Sequence, residues 1–162
     1  MTAKNTEIKR VLFCTDFSAN AHHAFDFAVA AAAKREGCEL ILLHVIPEPD
    51  AQFWKAYIYE LDTDVDKNAR EALDAKVESE YRPRVPAGVP FRAEFRIGKD
   101  YAKIIDVARE FSVDLIVLGR QGRGALQSIF FGTVAEKVVK RSTCPVLVIP
   151  LPRNDSVSPG AE

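Results

Sequence analysis

The chain has 162 residues, 48% of them hydrophobic and 28% charged, the balance of a single globular domain that can bury a core without disulfide or metal staples. A formal net charge of −1 supplies no molecule-wide field that would draw it to nucleic acid or to an anionic membrane surface. The three cysteines, Cys14, Cys38 and Cys144, are widely spaced, form no CxxC pair and complete no zinc pattern with His22, His23 and His44, so they read as reduced thiols in apolar surroundings.

The polar opening, Met1 to Arg10, lacks the apolar core of a signal peptide, and no apolar stretch reaches membrane-spanning length, so a cytoplasmic location is expected. The first strand is Val11 to Cys14. Ser18 is placed to cap a helix carrying Ala21, Phe25, Ala28 and Ala32 on one face, with Gly37 closing it. Leu40 to Val45 is the second strand. Pro47 to Asp62, with Trp54 and Tyr57, reads as a flap or a short extra helix. A second helix falls between Thr63 and Tyr81, before Pro83 and Pro86. In Phe91 to Ile97 apolar residues alternate with Arg92, Glu94 and Arg96, the pattern of an edge strand with one wet face. A third helix aligns Tyr101, Ile104, Ile105, Ala108 and Phe111. Leu115 to Leu118 is the fourth strand, a helix from Thr133 carries Val134, Ala135, Val138 and Val139 inward, and Val146 to Ile149 is the fifth strand. Strands one, two, four and five are apolar at consecutive positions, as in strands covered on both faces. The order βαβαβαβαβ, with no internal repeat, calls for right-handed crossovers and a mainly parallel sheet. Residues 1–151 are expected to form one domain and 152–162 a disordered tail.

In such a sheet ligands bind beyond the C-terminal strand ends. Strand one ends in Thr15-Asp16-Phe17-Ser18, and strand four runs into Gly119-Arg120-Gln121-Gly122-Arg123-Gly124. Three glycines after a buried strand allow a sharp turn, and their N–H groups form an anion-binding concavity. Gly132-Thr133 opens the next helix, where unpaired amides and the helix dipole favour phosphate. Arg120 and Arg123 either add positive charge or point to solvent. The loop is not a Walker A sequence, since Ala125-Leu126 stands where Lys and Ser/Thr belong, and its GxxGxG order after the fourth strand is not a dinucleotide fingerprint.

The spacing Gly119-x2-Gly122-x9-Gly132-Thr133 resembles the G-2x-G-9x-G-(S/T) pattern of ATP-binding universal stress proteins. Thr15-Asp16-Phe17-Ser18 resembles that family's acidic residue after strand one, and Ser142 to Pro150 its last strand, so the likeness covers roughly residues 6 to 151. The resemblance implies an α/β fold: an open five-stranded parallel sheet of order 3-2-1-4-5 with helices on both faces, Rossmann-like and adenine nucleotide alpha hydrolase-like. It implies ATP, alone or with Mg, as ligand. Gly122, Gly132, Thr133 and the Val134 amide are implied to hold phosphates, Asp16 to meet the nucleoside with Thr15 beside it, the Val45 backbone to read adenine, and Leu118 and Gly119 to line the cleft. It also implies a stress-related regulatory homodimer paired through Val146, Leu147, Val148 and Ile149, with neither nucleic acid nor membrane as partner.

Blander readings stand beside these. Asp16 is equally a helix N-terminal acid held by the dipole. His22 and His23 read as surface residues and His44 as a hydrogen-bonded core histidine. Asp62, Asp64, Asp66 and Glu71 lack the glycine of a calcium loop and read as a solvated helix start. No Ser-His-Asp set or carboxylate pair accompanies the glycine loop. A slow ATPase or nucleotidyl transferase, and an interaction module without ligand, remain the alternatives to a nucleotide-responsive regulator.

Overall fold

The computed structural model of the chain describes residues 6–47, 64–121 and 132–152, for 64–69 the backbone alone. The elements are β1 (Arg10–Cys14), α1 (Ala19–Ala33), β2 (Glu39–Pro47), α2 (Asp64–Glu80), a 3-10 turn at Arg82–Arg84, β3 (Phe91–Gly98), α3 (Asp100–Glu110), β4 (Leu115–Gly119), α4 (Thr133–Arg141) and β5 (Val146–Ile149). All five strands are parallel, in the order β3-β2-β1-β4-β5. The chain winds outward from β1 to β3 and then returns to the other side of β1, so the winding reverses between β1 and β4. The flap and calcium-loop segment up to Thr63, Gly122 to Gly124, and all of the expected tail beyond Pro152 lie outside the described residues.

The strand alternation sorts the core into two layers. Val11, Phe13, Leu40, Leu42 and Val117 meet α1, Val77 near the end of α2, and Tyr81 just beyond it. Leu12, Ile41, Leu43, Ile116 and Leu118 meet Ile104, Ile105 and Val107 of α3 and Ala135 and Val138 of α4. Helix α1 has the small-residue stripe Ala21, Ala24, Ala28 and Ala32, fully or nearly buried, which lets it lie close on the sheet while Phe25 fills the space beside Phe13. Ser18 caps it, its hydroxyl accepting from the Ala21 amide at 3.2 Å. The helix stops at Ala33, earlier than Gly37, which instead turns the chain into β2 at φ +71°.

Strand β3 is indeed an edge, and its outward arginines are half-buried by neighbours. The Arg92 guanidinium lies 4.1 Å from the Phe111 ring centre, and Arg96 pairs with Glu94 at 2.8 Å and reaches Glu110 at 3.4 Å. Among the described residues no helix is long and apolar enough to cross a membrane.

Candidate functional site

Strand β1 is shorter than its neighbour. Its last registered pair is Cys14 with Leu43, followed by one further bond from the Thr15 amide to the Leu43 carbonyl at 2.9 Å. Strand β2 continues four residues past Leu43, to Pro47, paired only with β3. Successive residues of a strand aim their N–H and C=O at opposite neighbours. Leu43 aims at β1, and therefore so does Val45. By Val45, β1 has turned away. The Thr15 carbonyl, the natural partner for the Val45 amide, is taken instead by His44, whose Nδ1–H donates to it at 2.9 Å. Among the described residues, the Val45 backbone on that side has no partner, and it presents a donor and an acceptor above the end of β1.

The turn that removes β1 is built from Asp16 and Phe17. The Ser18 amide donates to Asp16 Oδ1 at 3.0 Å, an Asx turn, and Phe17 takes φ +59°, a region costly to a bulky residue. The ring repays this by packing: it lies 4.9 Å from His44 and 5.9 Å from Tyr81, with the Lys76 ammonium 4.4 Å from its centre. The Thr15 hydroxyl faces inward. It accepts from the Phe17 amide at 2.9 Å and bonds the Tyr81 hydroxyl at 2.5 Å. With Thr15 6% exposed and both partners met inside the fold, its side chain is scaffold beneath the turn.

On the other side of β1, Leu118 and Gly119 end β4. The Arg120 amide donates to the Ile149 carbonyl at 2.7 Å, and the Arg120 carbonyl accepts from the Gly132 amide at 2.8 Å. The start and finish of the glycine loop are thereby closed on each other. Gly132 has ordinary dihedrals, φ −57° and ψ 146°. Its lack of a side chain serves space: a Cβ there would sit 2.6 Å from the Arg120 oxygen. Likewise a Cβ on Gly119 would sit 2.9 Å from Asn20 Cγ. The Gly132 carbonyl accepts from the Glu136 amide at 3.1 Å, which sets Gly132 as the cap of α4. Thr133, Val134 and Ala135 form the first turn, and helix geometry gives their amides no internal acceptor. No hydrogen bond from these three amides to another described residue is present. Thr133 is exposed. Val134, Val45 and Leu118 share the apolar layer under α3 and α4.

A model of the universal stress protein family matches residues 7–150. The chain belongs to that family. Universal stress protein MJ0577 of Methanocaldococcus jannaschii is 28% identical over 153 residues, covering 87% of this chain and 94% of its own. The solved structure of MJ0577 superposes with a TM-score of 0.72 over 90% of this chain and 98% of that one. A Thermus aquaticus universal stress protein is 31% identical, over 87% of this chain and 98% of its own. Two more distant structures share the fold: a universal stress protein in complex with cAMP (20% identity over 88% of this chain and 98% of that one, TM-score 0.59) and one from Archaeoglobus fulgidus in complex with dAMP (22%, 89% and 98%, 0.58).

This universal stress protein therefore brings Asp16, Val45, Leu118, Gly119, Gly132, Thr133 and Val134 to one rim of the sheet, with Thr15 beneath it; Gly122 lies outside the described residues. Sequence reading passed over three supporting residues. Tyr81 is fully buried among Phe13, Phe17 and Phe25, and burial pushes its hydroxyl up to about 12, against the lowering influence of the Thr15 hydrogen bond. His22, expected as a surface residue, stacks on Tyr81 at 4.8 Å and meets Glu80 at 2.9 Å. Asn20 is 3% exposed and bonds both β5 and the glycine loop.

Proposed function

We propose that this universal stress protein binds ATP across the ends of β2, β1 and β4, with adenine on the Val45 backbone and phosphates on the first turn of α4. The observation that carries the reading is the pair of unspent backbone groups on either side of β1. Open strand edge at Val45 offers the donor and acceptor that a purine edge needs. Three amides at the positive end of α4, with no acceptor among the described residues, suit a polyanion. Strands two apart in a sheet are about 10 Å from each other, which leaves room for a nucleoside between the two sites. Asp16, whose Oδ1 holds the turn at the end of β1, stands where its carboxylate meets the nucleoside. Leu118 and Val134 supply apolar floor, Gly119 and Gly132 leave the space that the two ends of the loop need, and Gly122, outside the described residues, is assigned to the phosphates by the family's glycine spacing. The nucleotide complexes of the two fold relatives support the ligand class. Mg is accommodated by the phosphates themselves, with the Thr133 hydroxyl at the head of α4 available to it.

The protein acts as a binding and regulatory device in the cytoplasm, not as an efficient phosphoryl-transfer enzyme. No lysine follows the loop in the manner of a Walker A site, and Asp16 is engaged in its own turn. The working unit is a homodimer paired along β5. Leu147 on this edge strand, with Leu151 beyond it and Val139 on α4, is exposed and apolar, a combination that invites a second strand. Mass analysis of nucleotide released on denaturing freshly purified protein, followed by calorimetric titration with ATP, tests the reading. Failure to bind ATP at millimolar concentration refutes it.

A further inference from the structure

We infer that Asn20 is a positioning residue for the Arg120–Gln121 start of the glycine loop and, through it, for the phosphate-binding first turn of α4; this rests on the nucleotide reading above. Asn20 is in the first turn of α1, yet that helix is already capped by Ser18, and asparagine is a poorer helix former than the alanines around it. Its amide is almost wholly buried, which is costly unless both ends are bonded. Both are. Nδ2 donates to the Ile149 carbonyl at 3.0 Å, and Oδ1 accepts from the Gln121 amide at 2.8 Å. These partners lie 129 and 101 residues away, so the bonds do nothing for α1 itself. The Ile149 carbonyl also receives the Arg120 amide, and the Arg120 carbonyl receives Gly132. Asn20 thus fixes two consecutive residues of the loop, one directly and one through a shared acceptor, and with them the seat of α4's first turn. The space it needs is the space that Gly119 leaves.

The test uses the full chain with Asn20→Ala, Gly119→Ala and the double substitution, titrated with ATP and with adenosine and unfolded in urea. Asn20→Ala is expected to weaken ATP about tenfold and adenosine less than twofold, because adenosine does not reach the loop. Gly119→Ala is expected to do the same by displacing Asn20. The double variant then binds no more weakly than the worse single one, since each substitution breaks the same contact. Unchanged ATP affinity in Asn20→Ala, or equal losses for ATP and adenosine, overturns the inference. If the wild type binds neither ligand, the nucleotide reading itself fails, and with it the positioning role. Non-additive stability losses in urea would still mark Asn20 as a staple of the fold, whereas additive losses would remove that as well.

Discussion

An acidic residue at the head of α4 separates folding from ligand binding. Thr133 is exposed and is the first residue of that helix. A carboxylate there interacts favourably with the positive helix end, by about 0.3–1 kcal/mol. Thr133→Asp is therefore expected to leave the urea midpoint unchanged or slightly raised. For a phosphate on the Thr133–Ala135 amides the same carboxylate is a like charge some ~6 Å away. At an effective dielectric of about 20 that repulsion is about 3 kcal/mol, and solvent around an exposed side chain removes roughly half of it. The remainder corresponds to about a tenfold loss for one phosphate charge and more for a triphosphate. Thr133→Asn, of similar size and uncharged, is the control and is expected to change affinity less than threefold. Calorimetric titration with ATP at low and at high salt is the assay, and the gap between the two variants should shrink as salt rises. Equal ATP affinity in folded Thr133→Asp and Thr133→Asn would refute the placement of phosphates on α4. Gly132 is a poorer target, because any side chain there collides with the Arg120 carbonyl whether or not a ligand binds.

Other outcomes follow from the same geometry. Tyr81→Phe removes one of the two hydrogen bonds of the buried Thr15 hydroxyl, leaving that from the Phe17 amide, and should cost about 1 kcal/mol in urea unfolding; no measurable loss would mean that the bond contributes nothing. The Tyr81 hydroxyl is raised in the folded state above its ordinary value near 10, so its contribution to stability is complete below about pH 10 and disappears as pH rises towards about 12. That alkaline slope should vanish in Tyr81→Phe, and a slope that persists would assign it to another group. Leu147→Lys, at an exposed position on β5, should shift the protein to monomer in sedimentation equilibrium and remove the rise of the urea midpoint with protein concentration that a dimer gives; an unchanged dimer would move the interface elsewhere. ATP turnover with Mg should stay below roughly 1 per second, the low end of typical enzymes, and faster phosphate release that Thr133→Asp abolishes would make the protein an enzyme.

Strands β1, β2 and β4 were legible because they are buried on both faces and read as unbroken apolar runs, and Phe91 to Ile97 because it alternates as an edge strand does; β5 reads as a covered strand too, but it is the opposite edge and Leu147 on it is exposed. Ser18 was legible as a cap because capping is local. Asn20 was not, because nothing near it in sequence distinguishes a staple from an indifferent helix residue; its meaning lies with Gln121 and Ile149. Tyr81 marked only the end of a helix pattern, and its contact with Thr15 spans 66 residues. The left-handed Phe17 carries no glycine or asparagine to announce it. The open edge at Val45 depends on β1 being shorter than β2, a difference of strand ends, where sequence patterns are least exact.

Gly119 and Gly132 have a consequence for how this chain could diverge. A side chain at either would meet the protein's own atoms, Asn20 in one case and the Arg120 carbonyl in the other. Purifying selection for a sound fold would therefore hold both glycines even in a descendant that had abandoned its ligand. On the nucleotide reading, a residue that serves the ligand alone, as proposed for the exposed Thr133, would be free to drift first. A lineage in transition from nucleotide binder to plain scaffold should betray itself at the head of α4 while its glycine spacing still looks intact.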